Sequence, residues 1–321
     1  MESVKLAVIG AGPAGIALGV ESARAGIPGV VILEKAGHIC DTIASLYRQG
    51  KRVDAVYRKV AVEPRGSLSF TTMAKESFLD WMDELTAGHR LDIRHSHEVL
   101  EIRKKENGFL ILCGNNAAIE ADLVVIAIGI FGRPVKPSYK LAAEIKDRIH
   151  FSMPEQPPVG KELLVVGGGD SAAEAACYLS RQNHVTLSYR REEFFRINEQ
   201  NLCTLNQCCN FENLATRLGA DITGVAADEK RVSVCYGGKE EVVYDAIFYF
   251  LGGSTPRAFL EKAGIAYAGN KPAADQYGES NIPGLFLAGD LVAEKGTIMT
   301  AFNSAAAVIA RIAEVYADRL K

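Results

Sequence analysis

The chain has 321 residues, 48% of them apolar, enough for about two domains of ordinary size that each bury a core. A formal net charge of -3, with 23% charged residues, leaves no basic field of the kind nucleic acid demands. The seven cysteines, Cys40, Cys113, Cys177, Cys203, Cys208, Cys209 and Cys235, are scattered and form no Cys-x-x-Cys pair, which argues against a disulfide framework or a zinc site and fits a reducing cytoplasm.

The opening stretch MESVKLAVIGAGPAGIALG reads as strand, turn and helix rather than as a signal peptide, and no apolar run is long enough to predict a membrane span. The apolar run Leu6 to Ile9 leads into Gly10-x-Gly12-x-x-Gly15 and then an Ala-rich helical pattern. Gly10 permits the tight turn, Gly12 lets backbone approach a pyrophosphate, and Gly15 lets helix pack on strand. A second strand, VVILEK, ends at Glu34, nineteen residues after Gly15, where a carboxylate accepts hydrogen bonds from an adenosine ribose.

Arg48, Lys51, Arg52, Arg58 and Lys59 fall within twelve residues and predict a local basic patch able to steer an acidic partner. Tyr47 and Tyr57 interleave with it. His95 and His97 are expected on one face of a strand, without the further ligands a metal site needs. The strand ADLVVIAIG stops at Gly129, before Pro134 and Pro137, and YDAIFYFLGGSTP repeats that pattern, so each marks a crossing between domains.

Between the crossings, ELLVVGGGDSAAEAA holds a second loop, with Gly167, Gly169 and Ala172 at the small-residue positions and Asp170 and Ser171 opening the helix. The following strand runs into Arg190 and Arg191, about where the first unit has Glu34, and Arg196 comes shortly after. Exchanging the acid for guanidinium groups replaces a ribose-hydroxyl site with one suited to a 2'-phosphate, so this half should prefer NADP to NAD. Cys203, Cys208 and Cys209 are spaced poorly for a dithiol on a helix. Near the end, Gly289-Asp290 follows an apolar strand, and a long helix beginning near Thr297 and Ile298 would aim its amides at a flavin carbonyl, with Asp290 on a ribityl hydroxyl; a turn cap at Asp290 and an ordinary core helix are the alternative.

Two unlike dinucleotide sites imply FAD in the first and NADPH in the second, with a hydride passing between them. The expected fold class is α/β, with two Rossmann-like domains: a discontinuous FAD domain, 1–129 and 254–321, and an inserted NADPH domain, 130–253.

Taken in order, the first glycine loop, VVIAIG, GGGDSAAEAA, YRREEFFR and IPGLFLAGD resemble the low-molecular-weight thioredoxin reductase family over nearly the whole chain. That resemblance implies a homodimer with tightly bound FAD and an NADPH domain that swings between two orientations. It implies FAD contacts from Gly10, Gly12, Pro13, Ala14, Gly15, Glu34, Lys35, Gly129, Gly289, Asp290, Thr297 and Ile298. Its NADPH contacts are Gly167, Gly169, Asp170, Ser171, Arg190, Arg191 and Arg196.

The family's redox-active dithiol precedes the second loop, yet no cysteine occurs from Gly114 to Ala176. A closer likeness, resting on YRQGKRVDAVYRK, YRREEFFRINEQN and GGSTP, is to the bacterial NADPH-dependent flavodoxin:quinone reductases, which lack the dithiol. That branch implies flavodoxin or ferredoxin as acceptor, quinones as secondary acceptors, and docking through the Arg48–Lys59 patch. Low-molecular-weight disulfide reductases of related fold carry a cysteine where this chain has Ala14, and the F-x-G-x-x-x-H signature of flavin monooxygenases is missing near His150. A disulfide reductase working through other cysteines and a non-catalytic flavin redox sensor are the alternatives.

Overall fold

The computed structural model describes residues 2–55, 62–130, 134–154, 156–210, 213–252 and 256–320. These divide into two compact units, one of residues 1–45, 49–132 and 255–321 and the other of residues 46–48 and 133–254.

The first unit is built on one mixed sheet. Strands Asp92–Arg94, Val30–Leu33, Glu2–Ile9 and Ala118–Ile126 run parallel in that order, and Leu285–Leu287 joins the last of them, also in parallel. The Ala118–Ile126 strand shows how sequence pattern sets sheet type. Its first half, AIEA, alternates in burial and pairs antiparallel with Gly108–Cys113, while its second half, LVVI, is wholly buried and lies between parallel neighbours. A strand covered on both faces reads as a continuous apolar run, whereas a half-covered one alternates.

Helix Pro13–Arg24 begins with proline in its first turn, where the missing N–H is an orphan in any case. Helix Ile298–Val315 packs against it and buries Met299, Phe302, Ala305, Val308, Ile309 and Ile312. At 18 residues that helix is long and apolar enough to cross a membrane by length and composition; its buried stripe at helical spacing accounts for the same composition as core packing.

The second unit has a five-stranded parallel sheet in the order Leu214–Arg217, His184–Ser188, Glu162–Val166, Ala246–Tyr249, Ile149–His150. Helices Asp170–Leu179 and Glu199–Cys209 pack together over a core that includes Leu163, Val165, Leu187 and Phe248. Strands Ile222–Asp228, Arg231–Tyr236 and Glu240–Tyr244 form an antiparallel sheet whose core, with Ile145, Leu164 and Tyr249, is separate.

Candidate functional site

Each unit presents a glycine turn between its first long parallel strand and a helix. Gly10 has φ +100 and a Cβ there would stand 2.9 Å from the Ala127 carbonyl oxygen; at Gly15 it would stand 1.9 Å from that of Gly10. Both positions therefore exclude a side chain for reasons internal to the fold. Gly12 is different: a Cβ there would meet nothing within 4 Å, and the same holds for Gly169 in the second loop. These two glycines face open space.

They are also the N-caps of helices Pro13–Arg24 and Asp170–Leu179, and neither supplies a side-chain cap. By contrast, Asn198 caps helix Glu199–Cys209, and Thr297 forms a capping box with Thr300 at the start of Ile298–Val315. Two helix ends without a side-chain cap, each fronted by open space over a glycine, are fitted to an anion such as a pyrophosphate. At Ile298–Val315 the cap engages the Thr300 amide at 3.0 Å, so that amide is not offered to a ligand; a contact there falls to the amides of Ile298 and Met299.

Glu34 is buried at the end of the second strand. The Ala11 amide donates to its Oε2 at 2.7 Å and the Ala36 amide to its Oε1 at 2.8 Å. The carboxylate is thus tied to the glycine loop, and each oxygen keeps a further lone pair for an incoming hydroxyl. Lys35 beside it is exposed. Cys40, which the sequence pattern did not single out, adopts φ +51 and donates its amide to the Ala11 carbonyl at 2.9 Å, backing the same loop; burial pushes its thiol well above the usual range. Gly37, His38, Asp83, Thr86, Arg90 and His95 border a cavity of about 470 Å³ alongside.

Gly129 and Gly289 have φ +65 and +71. Ser304, another residue the sequence pattern did not single out, accepts the Gly289 amide on its Oγ at 2.8 Å. The Asp290 carboxylate lies against Gly296, where a Cβ would be 2.3 Å from its Oδ1, and burial pushes its carboxyl up from the ordinary range.

In the second unit Arg190, Arg191 and Arg196 are all exposed beyond the His184–Ser188 strand. Arg191 and Arg196 stand 4.5 and 5.4 Å from the ring centre of Phe195, and Arg196 bridges by its backbone to Gly169. Asp170 and Ser171 open the helix. Oδ1 of Asp170 accepts from the Asn198 amide at 2.8 Å, from Asn198 Nδ2 at 2.7 Å and from Asn201 Nδ2 at 3.0 Å.

The basic stretch is less uniform than its sequence. Arg48 stands 4.6 Å from the ring centre of Tyr178, and Arg52 pairs with Asp54. Lys51 is half-buried, and Tyr57, Arg58 and Lys59 lie outside the described residues. His95 and His97 do not share a strand face. The Asp92–Arg94 strand ends before them, because Ser96 takes φ +57 and His97 Nδ1 bonds the His95 carbonyl at 2.8 Å. Cys177, Cys208 and Cys209 gather where the two helices pack, and burial together with Cys208 pushes the Cys177 thiol far up.

Known proteins resemble the chain along this layout. A ferredoxin–NADP reductase of Lactobacillus helveticus is 27% identical over 213 residues, which are 64% of this chain and 66% of that protein. A thioredoxin reductase of Helicobacter pylori is 24% identical over 96% of this chain and 98% of that protein. The solved structure of the bacillithiol disulfide reductase from Staphylococcus aureus superposes with a TM-score of 0.84 at 22% identity, covering 98% of this chain and 99% of that one, and a thioredoxin reductase from T. acidophilum does so at 0.79; the two units therefore share the Rossmann-like fold of those reductases. Residues 7–289 match the pyridine nucleotide-disulphide oxidoreductase description, so the chain belongs to that family of oxidoreductases.

Proposed function

We propose that the chain is an NADPH-dependent flavoprotein reductase that delivers electrons to a small acidic carrier, ferredoxin or flavodoxin. The cofactors are FAD and NADPH. When bound, FAD supplies two-electron acceptance from NADPH and one-electron release to a carrier.

The observation that carries the assignment is the contrast between two otherwise alike loops. Both end in an open glycine at a helix N-terminus without a side-chain cap. One is backed by a buried carboxylate, Glu34, while the strand beside the other leads out to the exposed Arg190, Arg191 and Arg196, the last bridged by its backbone to Gly169. A carboxylate repels a 2'-phosphate and accepts from ribose hydroxyls, while guanidinium groups do the opposite. In this reading Gly10 to Gly15, Glu34 and Lys35 take the FAD pyrophosphate and ribose, and the neighbouring cavity gives room for the adenine. Gly129, Gly289, Asp290, Thr297 and Ile298 serve the flavin end, and Gly167, Gly169, Asp170, Ser171 and the three arginines serve NADPH.

The acceptor follows from chemistry the chain lacks and a name its relatives carry. No Cys-x-x-Cys pair occurs in the sequence, and Ala14 follows Pro13 in the first loop, so the cysteines that serve as relay in the related disulfide reductases have no counterpart at those positions. The Lactobacillus relative is named for ferredoxin. Lys51, Arg52, Arg58 and Lys59 form the proposed docking face, with Arg48 committed to Tyr178; quinones are secondary acceptors, and the working form is a cytoplasmic homodimer.

Anaerobic cytochrome c reduction by NADPH and the FAD-loaded chain, with and without ferredoxin or flavodoxin at low and high salt, tests this. Carrier dependence that fades with salt is expected. Rapid flavin bleaching without carrier dependence would move the acceptor to a quinone or disulfide, and absence of bleaching would make the chain a flavin-binding sensor.

A further inference from the structure

Asp170 presents an electrostatic problem. It is the first residue of the helix whose N-terminus faces the open space at Gly169. A carboxylate there is favoured by the helix dipole but repels the phosphates that the same helix end would bind. The structure answers with three N–H donors on one oxygen: the Asn198 amide, Asn198 Nδ2 and Asn201 Nδ2. Asn201 Nδ2 also reaches Glu174 Oε1, one turn along the helix, at 2.9 Å. Donors aimed at a carboxylate draw its charge toward themselves.

The same bonds fix the chain that carries Arg196. Asn198 lies two residues beyond it, and the Arg196 backbone is bridged to Gly169. Asn198 also caps the next helix by accepting the Asn201 backbone amide on Oδ1 at 2.9 Å, so its side chain is held from both ends, and the Asn201 side chain is held between Asp170 and Glu174.

We propose that Asn198 and Asn201 are positioning residues for 2'-phosphate recognition: clamped on Asp170, they hold Arg196 beside the second glycine loop and quiet the carboxylate next to it. This rests on the reading of that loop as the NADPH site. Preference for NADPH over NADH then depends on two uncharged residues that touch no phosphate.

The test uses the full FAD-loaded chain and two probes, adenosine 2',5'-bisphosphate and 5'-AMP, titrated by calorimetry, together with the KM values for NADPH and NADH. Asn198→Ser keeps a cap but loses the Nδ2 donor; Asn201→Ala loses its donor with a good helix former in its place. Each should weaken the bisphosphate by up to about tenfold, the most that losing one charge-assisted hydrogen bond from the clamp can pass on to the phosphate site, leave 5'-AMP nearly unchanged, and lower the melting temperature only slightly.

Variants that retain the wild-type preference would overturn the clamp while the NADPH reading stands. Equal weakening of both probes with a lowered melting temperature would make the network merely structural and also overturn it. The control is Arg190→Ala with Arg191→Ala: if the wild-type chain does not distinguish the two probes and this variant changes nothing, the NADPH reading itself fails.

Discussion

The ring of Tyr189 lies directly over Gly168, so closely that a Cβ at 168 would come within 2.2 Å of it. The ring also stacks on Phe194, at 5.6 Å between centroids and 11° between planes, a contact it would lose by moving away. The middle glycine of the second loop is therefore a packing position, whereas Gly169, with nothing within 4 Å of its missing Cβ, is a ligand-facing one. Adjacent glycines with the same appearance in sequence should fail in different ways.

Gly168→Ala should lose about 1–3 kcal/mol of stability by overpacking, visible as an earlier urea midpoint. Gly169→Ala should keep its midpoint and lose NADPH binding, because the new methyl group occupies the space a pyrophosphate would approach. Urea melts and nucleotide titrations on both variants separate the two roles; matched losses in both would remove the distinction.

That contrast also marks how far the sequence could be read. The two strand–glycine–helix units were legible because parallel strands buried on both faces leave continuous apolar runs, and because the glycine spacing answers to steric demands inside each turn. The Asp170, Asn198 and Asn201 network was not legible. Its partners lie 28 and 31 residues apart, and polar residues after a strand read equally well as a solvated loop. Nor could spacing reveal that Ser96 would turn His95 and His97 off their strand, or that Arg48 would settle on Tyr178. The charge run announced five cations; among the described ones, Arg48 is settled by Tyr178, far along the chain, and Arg52 by Asp54, two residues on.

The cysteines supply a second prediction. Cys203 is exposed, Cys40 and Cys113 are buried, and burial raises the thiols of Cys40, Cys113, Cys177 and Cys209 above their ordinary range. The thiolate is the reactive form, so iodoacetamide at pH 8 should label Cys203 first and spare Cys40 and Cys113. Carrier reduction by NADPH should stay within about twofold after that labelling. Peptide mass mapping beside the turnover assay checks both parts. Loss of turnover on modification of Cys203, with FAD retained, would restore a disulfide mechanism to consideration.

Asp290 supplies the last, through pH. Its carboxyl is held above the ordinary range because burial disfavours the charged form. Below the unfolded value, about 4 for aspartate, both states are protonated and the group contributes no cost. As pH rises from there through the raised folded value, the unfolded chain ionises more readily, so the folded state loses stability across that window and the full cost is present above it. Asp290→Asn removes the buried charge and should raise the melting temperature of the FAD-free chain at pH 7, with the gain shrinking as pH falls toward 4. If Asp290 accepts a flavin-chain hydroxyl, the same substitution should weaken FAD retention, so the order of melting temperatures reverses once FAD is added. Melting curves with and without FAD between pH 4 and 8 decide it: a variant that is more stable in both forms would show that the carboxylate does not serve the flavin.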